Sequence, residues 1–151
     1  MIVFGLGLAL AGAISCDETP GGEDGNVGKK VSSELLAQVG LRRQQIAQPT
    51  EARLQQMIDL GMDVSDLEIQ RIYIHMEQAP DASQSAEMEA LGITLYPDSW
   101  IPPVGVHPTG FLLADMPVDS LEELADKEYV VSLDTAEHVL MPQSSPGMQP
   151  Q

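Results

Sequence analysis

Two segments of the chain repeat the same order of signals: a strand pattern, a capped helix and a second strand. In the first segment, apolar and polar residues alternate over residues 71–76, which is the two-residue period of a half-buried strand. Asp81 followed by Gln84 is a capping-box pattern, and the helix that it begins ends before Gly92. The short apolar run at residues 93–96 then predicts a second strand.

The second segment follows a proline-rich loop. Residues 111–115 predict a third strand, and Asp119 with Glu122 forms another capping-box pattern at the start of a helix. The chain then enters a final strand, in which we expect Val131 and Leu133 to face the core. The order is therefore strand, helix, strand, strand, helix, strand.

This order is that of the split βαβ, or ferredoxin-like, fold, in which right-handed crossovers place both helices on one face of an antiparallel sheet. Residues 31–65 precede it with two amphipathic helix patterns. We therefore expect an α+β protein with a helical hairpin over residues 31–65 and a ferredoxin-like βαββαβ domain over residues 66–141. Arg42, Arg43 and Arg53 of the hairpin are expected to be surface charges.

One face of the predicted sheet should remain uncovered, because each helix offers a single apolar stripe. The residues that alternate onto this open face are Arg71, Tyr73, His75, Ser132 and Asp134. Such a face is either solvated or a docking surface, and the pattern alone leaves both readings open.

The loop at residues 97–110 contains four prolines and two glycines, which predict a long, stiffened connection. Trp100 in this loop is either a contact point for a partner or part of a small cluster packed at the end of the sheet. We favour packing, because tryptophan is highly buried on average.

Residues suited to bond-making chemistry are sparse. His75, His107 and His138 lack the spacing of a metal site, and we interpret them as ordinary polar residues. The single cysteine excludes an intramolecular disulfide and a cysteine-cluster zinc site, and neither a nucleophile elbow nor a phosphate-binding glycine loop is present. We therefore predict no enzyme activity, no metal and no cofactor.

The charge balance bears on the partners. The chain has 23 acidic and seven basic residues, a formal net charge of −16. This charge repels nucleic acids and anionic membrane surfaces. We therefore expect no nucleic-acid partner, and membrane contact only through a lipid anchor.

The lipid anchor is predicted from the N-terminus. Residues 1–15 are uncharged, apolar and small, too short for the ~20 residues of a membrane span but typical of a secretory signal. Residues 13–16 (AISC) resemble a bacterial lipobox, so we expect Cys16 to carry lipid after export across the bacterial inner membrane. The alternatives are a buried N-terminal strand or a cleaved signal with an incidental cysteine.

Two further segments are predicted to lack fixed structure. Residues 16–30 are rich in glycine and acids, and we expect them to form a flexible tether. Residues 142–151 (PQSSPGMQPQ) are expected to form a disordered tail.

The closing part of the chain resembles the N-terminal prodomain of subtilisin-type serine proteases. Those prodomains have the βαββαβ order, with a final Leu-x-x-Leu-Ala helix and a short strand ending in acidic residues. Residues 121–125 (LEELA) and 130–134 (VVSLD) match this pattern. The helices before residue 66 are similar to an extension of some bacterial members, so the resemblance covers residues 30–141.

The resemblance implies that the domain assists the folding of a subtilisin-like protease and inhibits it. In such complexes the open sheet face packs on two protease helices, and the segment after the last strand lies in the substrate cleft. Carried over to this chain, the partner-binding residues are Tyr73, His75, Glu137, His138, Val139, Leu140 and Met141. Because residues 142–151 follow where a protease domain would stand, we expect either action in trans or loss of the inhibitory role. The alternative function is that of a small-molecule-binding or regulatory ferredoxin-like module without a protease partner.

The lipobox resemblance predicts that Cys16 is the acylated residue. Cells that express the chain should incorporate radiolabelled palmitate into it, and the Cys16→Ser variant should incorporate none. Label that persists in the variant would contradict the anchor.

Overall fold

Residues 27–137 are the part of the chain that the computed structural model describes. In chain order the helices and strands are α1 (Val27–Lys30), α2 (Ser33–Ala47), α3 (Glu51–Asp59), β1 (Ile69–Met76), α4 (Ala82–Ala90), β2 (Thr94–Leu95), β3 (Gly110–Pro117), α5 (Leu121–Ala125) and β4 (Ser132–Thr135). Single 3-10 turns precede Trp100 and α5. The predicted signal segment and Cys16 lie outside the described residues. No helix within residues 27–137 has the length and apolar character that crossing a bilayer requires.

The four strands form one antiparallel sheet in the order β2-β3-β1-β4. Strand β1 is central: Tyr73 faces Leu113 of β3 on one side and Asp134 of β4 on the other. The side chains of Ile72 and Ile74 are fully buried on the other face. The alternation in the sequence therefore correctly predicted which face of β1 is buried, because the two-residue period fixes the face of each residue.

One hydrophobic core joins the sheet to helices from both halves of the chain. Leu35 and Val39 of α2 are buried in the same cluster as Ile74, Leu124 and Leu133. The boundary expected after residue 65 therefore does not divide two separately packed units. Helix α2 packs directly against the sheet and shares its core.

Helices α3 and α4 begin as their local signals predict. The Thr50 side chain accepts a hydrogen bond from the amide of Arg53, and Asp81 and Gln84 form a reciprocal capping box. Gly92, which follows α4, has a positive φ of 82° that suits glycine at this helix end.

Helix α5 differs from its expected form. Residues 118–120 form a 3-10 turn, and α5 begins at Leu121 without a side-chain cap, so the predicted capping box of Asp119 and Glu122 is wrong. The Glu122 carboxylate instead accepts two hydrogen bonds from the Arg43 guanidinium, both at 2.7 Å. A charge-assisted bidentate contact thus replaces the local cap.

The strand before the tail is also shorter than expected. Val131 is 42% exposed and lies before the start of β4, whereas Val130 is buried, so the inward placement of Val131 is wrong. Regular pairing begins only at Ser132, opposite His75. The second strand is likewise reduced to Thr94–Leu95.

The first described residues belong to the folded domain. Val27–Lys30 form the helical turn α1, and Val27 packs against the core. Val31 then forms a parallel bridge with Leu133 of β4. Residues 27–30 are therefore not part of a flexible tether, in contrast to the expectation for residues 16–30.

Trp100 packs against the core, as predicted. Its ring lies over Gly110, where a Cβ atom would stand 2.7 Å from two ring carbons and would overlap the carbonyl oxygen of Ile101. Position 110 therefore accepts only glycine if the loop is to lie against β3.

Two glycine substitutions should have opposite effects. Gly110→Ala should lower the free energy of unfolding by about 1–3 kcal/mol, because the loop must move away from β3. Gly40→Ala, in the interior of α2 with open space around its Cβ position, should raise it by about 0.5–1 kcal/mol. Urea denaturation of both variants measures this, and an unchanged midpoint for Gly110→Ala would contradict the packing of Trp100.

Candidate functional site

The open face of the sheet has an aromatic centre. The rings of Tyr73 and Phe111 meet edge to face, with centroids 5.2 Å apart and planes at 73°. The His75 ring lies 5.7 Å from that of Phe111, and Leu113 pairs with Tyr73 across β1 and β3. These four residues are half-buried, so part of each remains accessible.

One end of the open face is polar but internally paired. The Arg71 guanidinium donates hydrogen bonds of 2.8 and 3.1 Å to the two oxygens of Asp115, and the Tyr96 hydroxyl donates one of 2.6 Å. Hydrogen bonding to Arg71, and also to Tyr96, lowers the pKa of Asp115 against the opposing effect of burial. The charge of Arg71 is therefore balanced within the domain.

The centre of the face is uncharged near neutral pH. Burial lowers the pKa of His75 from its usual value, and this effect is only opposed by Asp134, whose carboxylate oxygen lies 3.8 Å from Nε2. His75 is therefore mainly neutral at pH 7. A partner at this face meets aromatic surface and a neutral imidazole.

A buried ion pair holds the chain at the point where it leaves β4. Arg42 of α2 is fully buried, and its Nη2 atom lies 2.8 Å from each carboxylate oxygen of Glu137. Arg42 Nε also donates to Gln70, while the amides of Asp63 and Arg71 donate to the Glu137 carboxylate at 3.1 and 3.3 Å. Glu137 is thereby fixed against both α2 and the start of β1.

Further buried polar groups complete this network. Gln70 Nε2 donates to Gln38 Oε1 at 3.0 Å, and the Thr135 hydroxyl donates to the same oxygen. Gln38 Nε2 in turn donates to the backbone carbonyl of Glu137 at 3.0 Å. Because each group has a partner, the network tolerates burial and defines a single position for Glu137.

The predicted site residues fall into three groups. Tyr73 and His75 lie together on the open face, where the sequence placed them. Glu137, predicted to contact a partner, is only 9% exposed, and its carboxylate forms an ion pair with Arg42. Residues 138–141, which hold the other predicted tail contacts, lie outside the described residues.

The sequence analysis missed the role of Arg42. Its prediction as a surface charge is wrong, because the residue is fully buried. Arg42 follows Leu35 and Val39 at spacings of four and then three residues, so it lies on the apolar stripe of α2. That spacing could have indicated burial, although it could not have identified Glu137 as the partner.

Within residues 27–137, no group of three or more histidine, cysteine, aspartate or glutamate side chains is arranged to hold a metal ion. Comparison with protein-family models, curated proteins and solved structures found no match. The open face and the point where the chain leaves β4 are the features of the described residues that bear on function.

The Arg42–Glu137 pair should contribute more to stability than an exposed pair. Glu137→Ala leaves a buried guanidinium without its counter-charge and should lower the free energy of unfolding by about 3–5 kcal/mol. Glu87→Ala removes the exposed pair with Lys127, which has a distance of 3.3 Å, and should cost at most about 1 kcal/mol. Urea denaturation compares the two, and equal losses would contradict the structural role of Glu137.

Proposed function

We propose that this chain is a lipid-tethered, extracytoplasmic protein-binding domain of the subtilase-prodomain type. It binds a subtilisin-like serine protease through the open sheet face and the C-terminal tail, and it inhibits the protease or assists its folding. The observation that carries this proposal is the half-exposed aromatic centre formed by Tyr73, His75 and Phe111. Export and anchoring rest on the signal segment and Cys16.

The topology supports a ferredoxin-like assignment. The strands lie in the order β2-β3-β1-β4, with α4 between β1 and β2 and α5 between β3 and β4. This is the arrangement that two interleaved strand–helix–strand units produce. The consecutive helices α2 and α3 likewise support the proposed N-terminal hairpin.

The composition of the open face supports protein binding. Aromatic side chains are enriched and unpaired charges are depleted at the centre of protein interfaces. Here Tyr73 and Phe111 occupy the centre, while the flanking Arg71 and Asp115 already neutralise each other. A partner that covers the centre then needs a positive charge of its own opposite Asp134, whose side chain is 51% exposed beside the neutral His75.

The point where the chain leaves β4 supports the other proposed contact, that of the C-terminal tail with the protease. The amide of Ala136 donates to the carbonyl of Arg71 at 3.0 Å, so β4 pairing continues to the residue before Glu137. The Glu137 ion pair then fixes the point at which residues 138–141 (HVLM) begin. A fixed origin reduces the entropy lost when such a segment adds as a strand to an enzyme cleft. In this proposal Glu137 positions the tail, and residues 138–141 contact the protease.

A cleft at the other end of the face supports a second candidate function. It has a volume of about 300 Å³ and is bordered by His75 and Phe111 of the sheet and by Val104 and His107 of the loop. Small-molecule pockets begin at roughly this size. The cleft would suit a small apolar ligand, and thermal stabilisation by such a ligand would favour a regulatory module. We favour the protease, because the cleft is continuous with the aromatic centre of the open face.

The full chain should inhibit a subtilisin-type protease. Truncation after Glu137 should raise the inhibition constant by roughly 100-fold, the effect of losing contacts worth about 2–3 kcal/mol. Because the Arg42–Glu137 pair remains, the truncated domain should keep its thermal midpoint. The measurement is the rate of peptide hydrolysis against inhibitor concentration.

A second truncation serves as the control. Removal of residues 142–151 alone leaves residues 138–141 in place and should leave the inhibition constant unchanged. An unchanged protease rate at saturating concentrations of the full chain would contradict the proposed function.

A further inference from the structure

The loop before β3 is built as a clamped projection. At its base, Ile101 and Phe111 exchange two backbone hydrogen bonds, with N–O distances of 3.0 and 2.9 Å. Pro102 and Pro103 follow one side of this clamp, and Pro108 precedes the other. Proline restricts the backbone to few conformations, so the projection loses little entropy when it binds.

A tight turn forms the tip of the projection. The amide of His107 donates to the carbonyl of Val104 at 3.2 Å, which closes a four-residue turn. Gly105 within this turn has a φ of +63°, a conformation that glycine adopts without strain. The tip (residues 104–107) therefore has a defined shape.

The tip presents apolar side chains to the outside. Val104 is 62% exposed and Val106 is 95% exposed, the largest values among the exposed large hydrophobic residues in the described part of the chain. Ile101 at the base is 45% exposed. Exposure of this apolar surface to water is unfavourable, and a partner that covered it would gain free energy from its burial.

The charge pattern indicates the chemistry of that partner. No lysine or arginine occurs between Arg71 and Lys127, and residues 99–110 carry no charged side chain. An anionic membrane or a nucleic acid requires basic residues near the contact. The neighbouring sheet face instead carries Asp134, whose side chain is 51% exposed. This charge pattern favours an apolar protein recess with a basic rim as the complementary surface.

We propose that the tip is a second docking element, which inserts Val104 and Val106 into an apolar recess on the same protease, outside its substrate cleft. This inference rests on the proposed function. The clamp at Phe111 lies beside His75, whereas the tail leaves beside Arg71, four residues or about 13 Å away along β1. The tip and the tail therefore contact the protease at opposite ends of the open face. The cleft beneath the tip has room for one apolar side chain from the partner.

A subtilisin whose catalytic serine is replaced by alanine is the probe, and its affinity for the full chain is measured by surface plasmon resonance. The double variant Val104→Ser/Val106→Ser should bind about 10- to 100-fold more weakly. The control Ile46→Ser/Ile58→Ser changes side chains of α2 and α3 that are 42% and 47% exposed. It should bind within about twofold of the native chain, since surface changes elsewhere have small effects.

Position 105 tests the shape of the tip separately from its apolar surface. Its Cβ position is open, so Gly105→Val strains the turn without a clash and should weaken binding by about tenfold. Gly105→Asn should retain most of the affinity, because asparagine tolerates a positive φ. Unchanged thermal midpoints in these variants establish that each domain remains folded.

The outcomes separate this inference from the proposed function. If the native chain binds and the Val104→Ser/Val106→Ser variant binds equally well, the second docking element is overturned while the proposed function stands. If the native chain does not bind the probe, both are overturned. Binding to phosphatidylglycerol vesicles, or dimer formation, that depends on Val104 and Val106 would assign the tip to a membrane or to a second copy, and would also overturn the inference.

Discussion

The buried ion pair between Arg42 and Glu137 is the contact on which the rest of the structure depends. It joins α2, near the start of the domain, to the end of β4. The Glu137 carboxylate also accepts hydrogen bonds from the backbone amides of Asp63 and Arg71. A guanidinium is costly to bury unless its donors are satisfied. Here Gln70 and two backbone carbonyls supply the remaining acceptors. The pair therefore holds α2 and the end of β4, where the tail begins, together.

This arrangement gives the open face two ordered ends. At one end the tail begins at a residue fixed in the core, and at the other the loop is clamped between Ile101 and Phe111. Tyr73 lies between them on the central strand. In the proposed complex the sheet thus acts as a rigid spacer, and binding orders few additional groups. The charges near the face pair mainly within the domain, which keeps its centre apolar.

Local patterns predicted those parts of the structure that depend on local physics. The alternation around Ile72 identified the buried face, and Asp81 identified the start of α4, because both signals act within a few residues. The predictions failed where distant residues compete. Arg43 draws Glu122 away from a helix cap, and Glu137 is held by an arginine 95 positions away. Neither contact can be predicted from the residues that neighbour its two partners in the sequence.

Hydroxyl-radical footprinting of the complex with a catalytically inactive subtilisin tests directly whether the open sheet face is the binding surface, because it reports the solvent exposure of individual side chains. We expect lower oxidation of Tyr73, His75 and Phe111 in the complex, and unchanged oxidation of Tyr129, which packs against the core and contacts Glu87 of α4. Protection of Tyr129 with no change at Tyr73 would contradict binding through the open face.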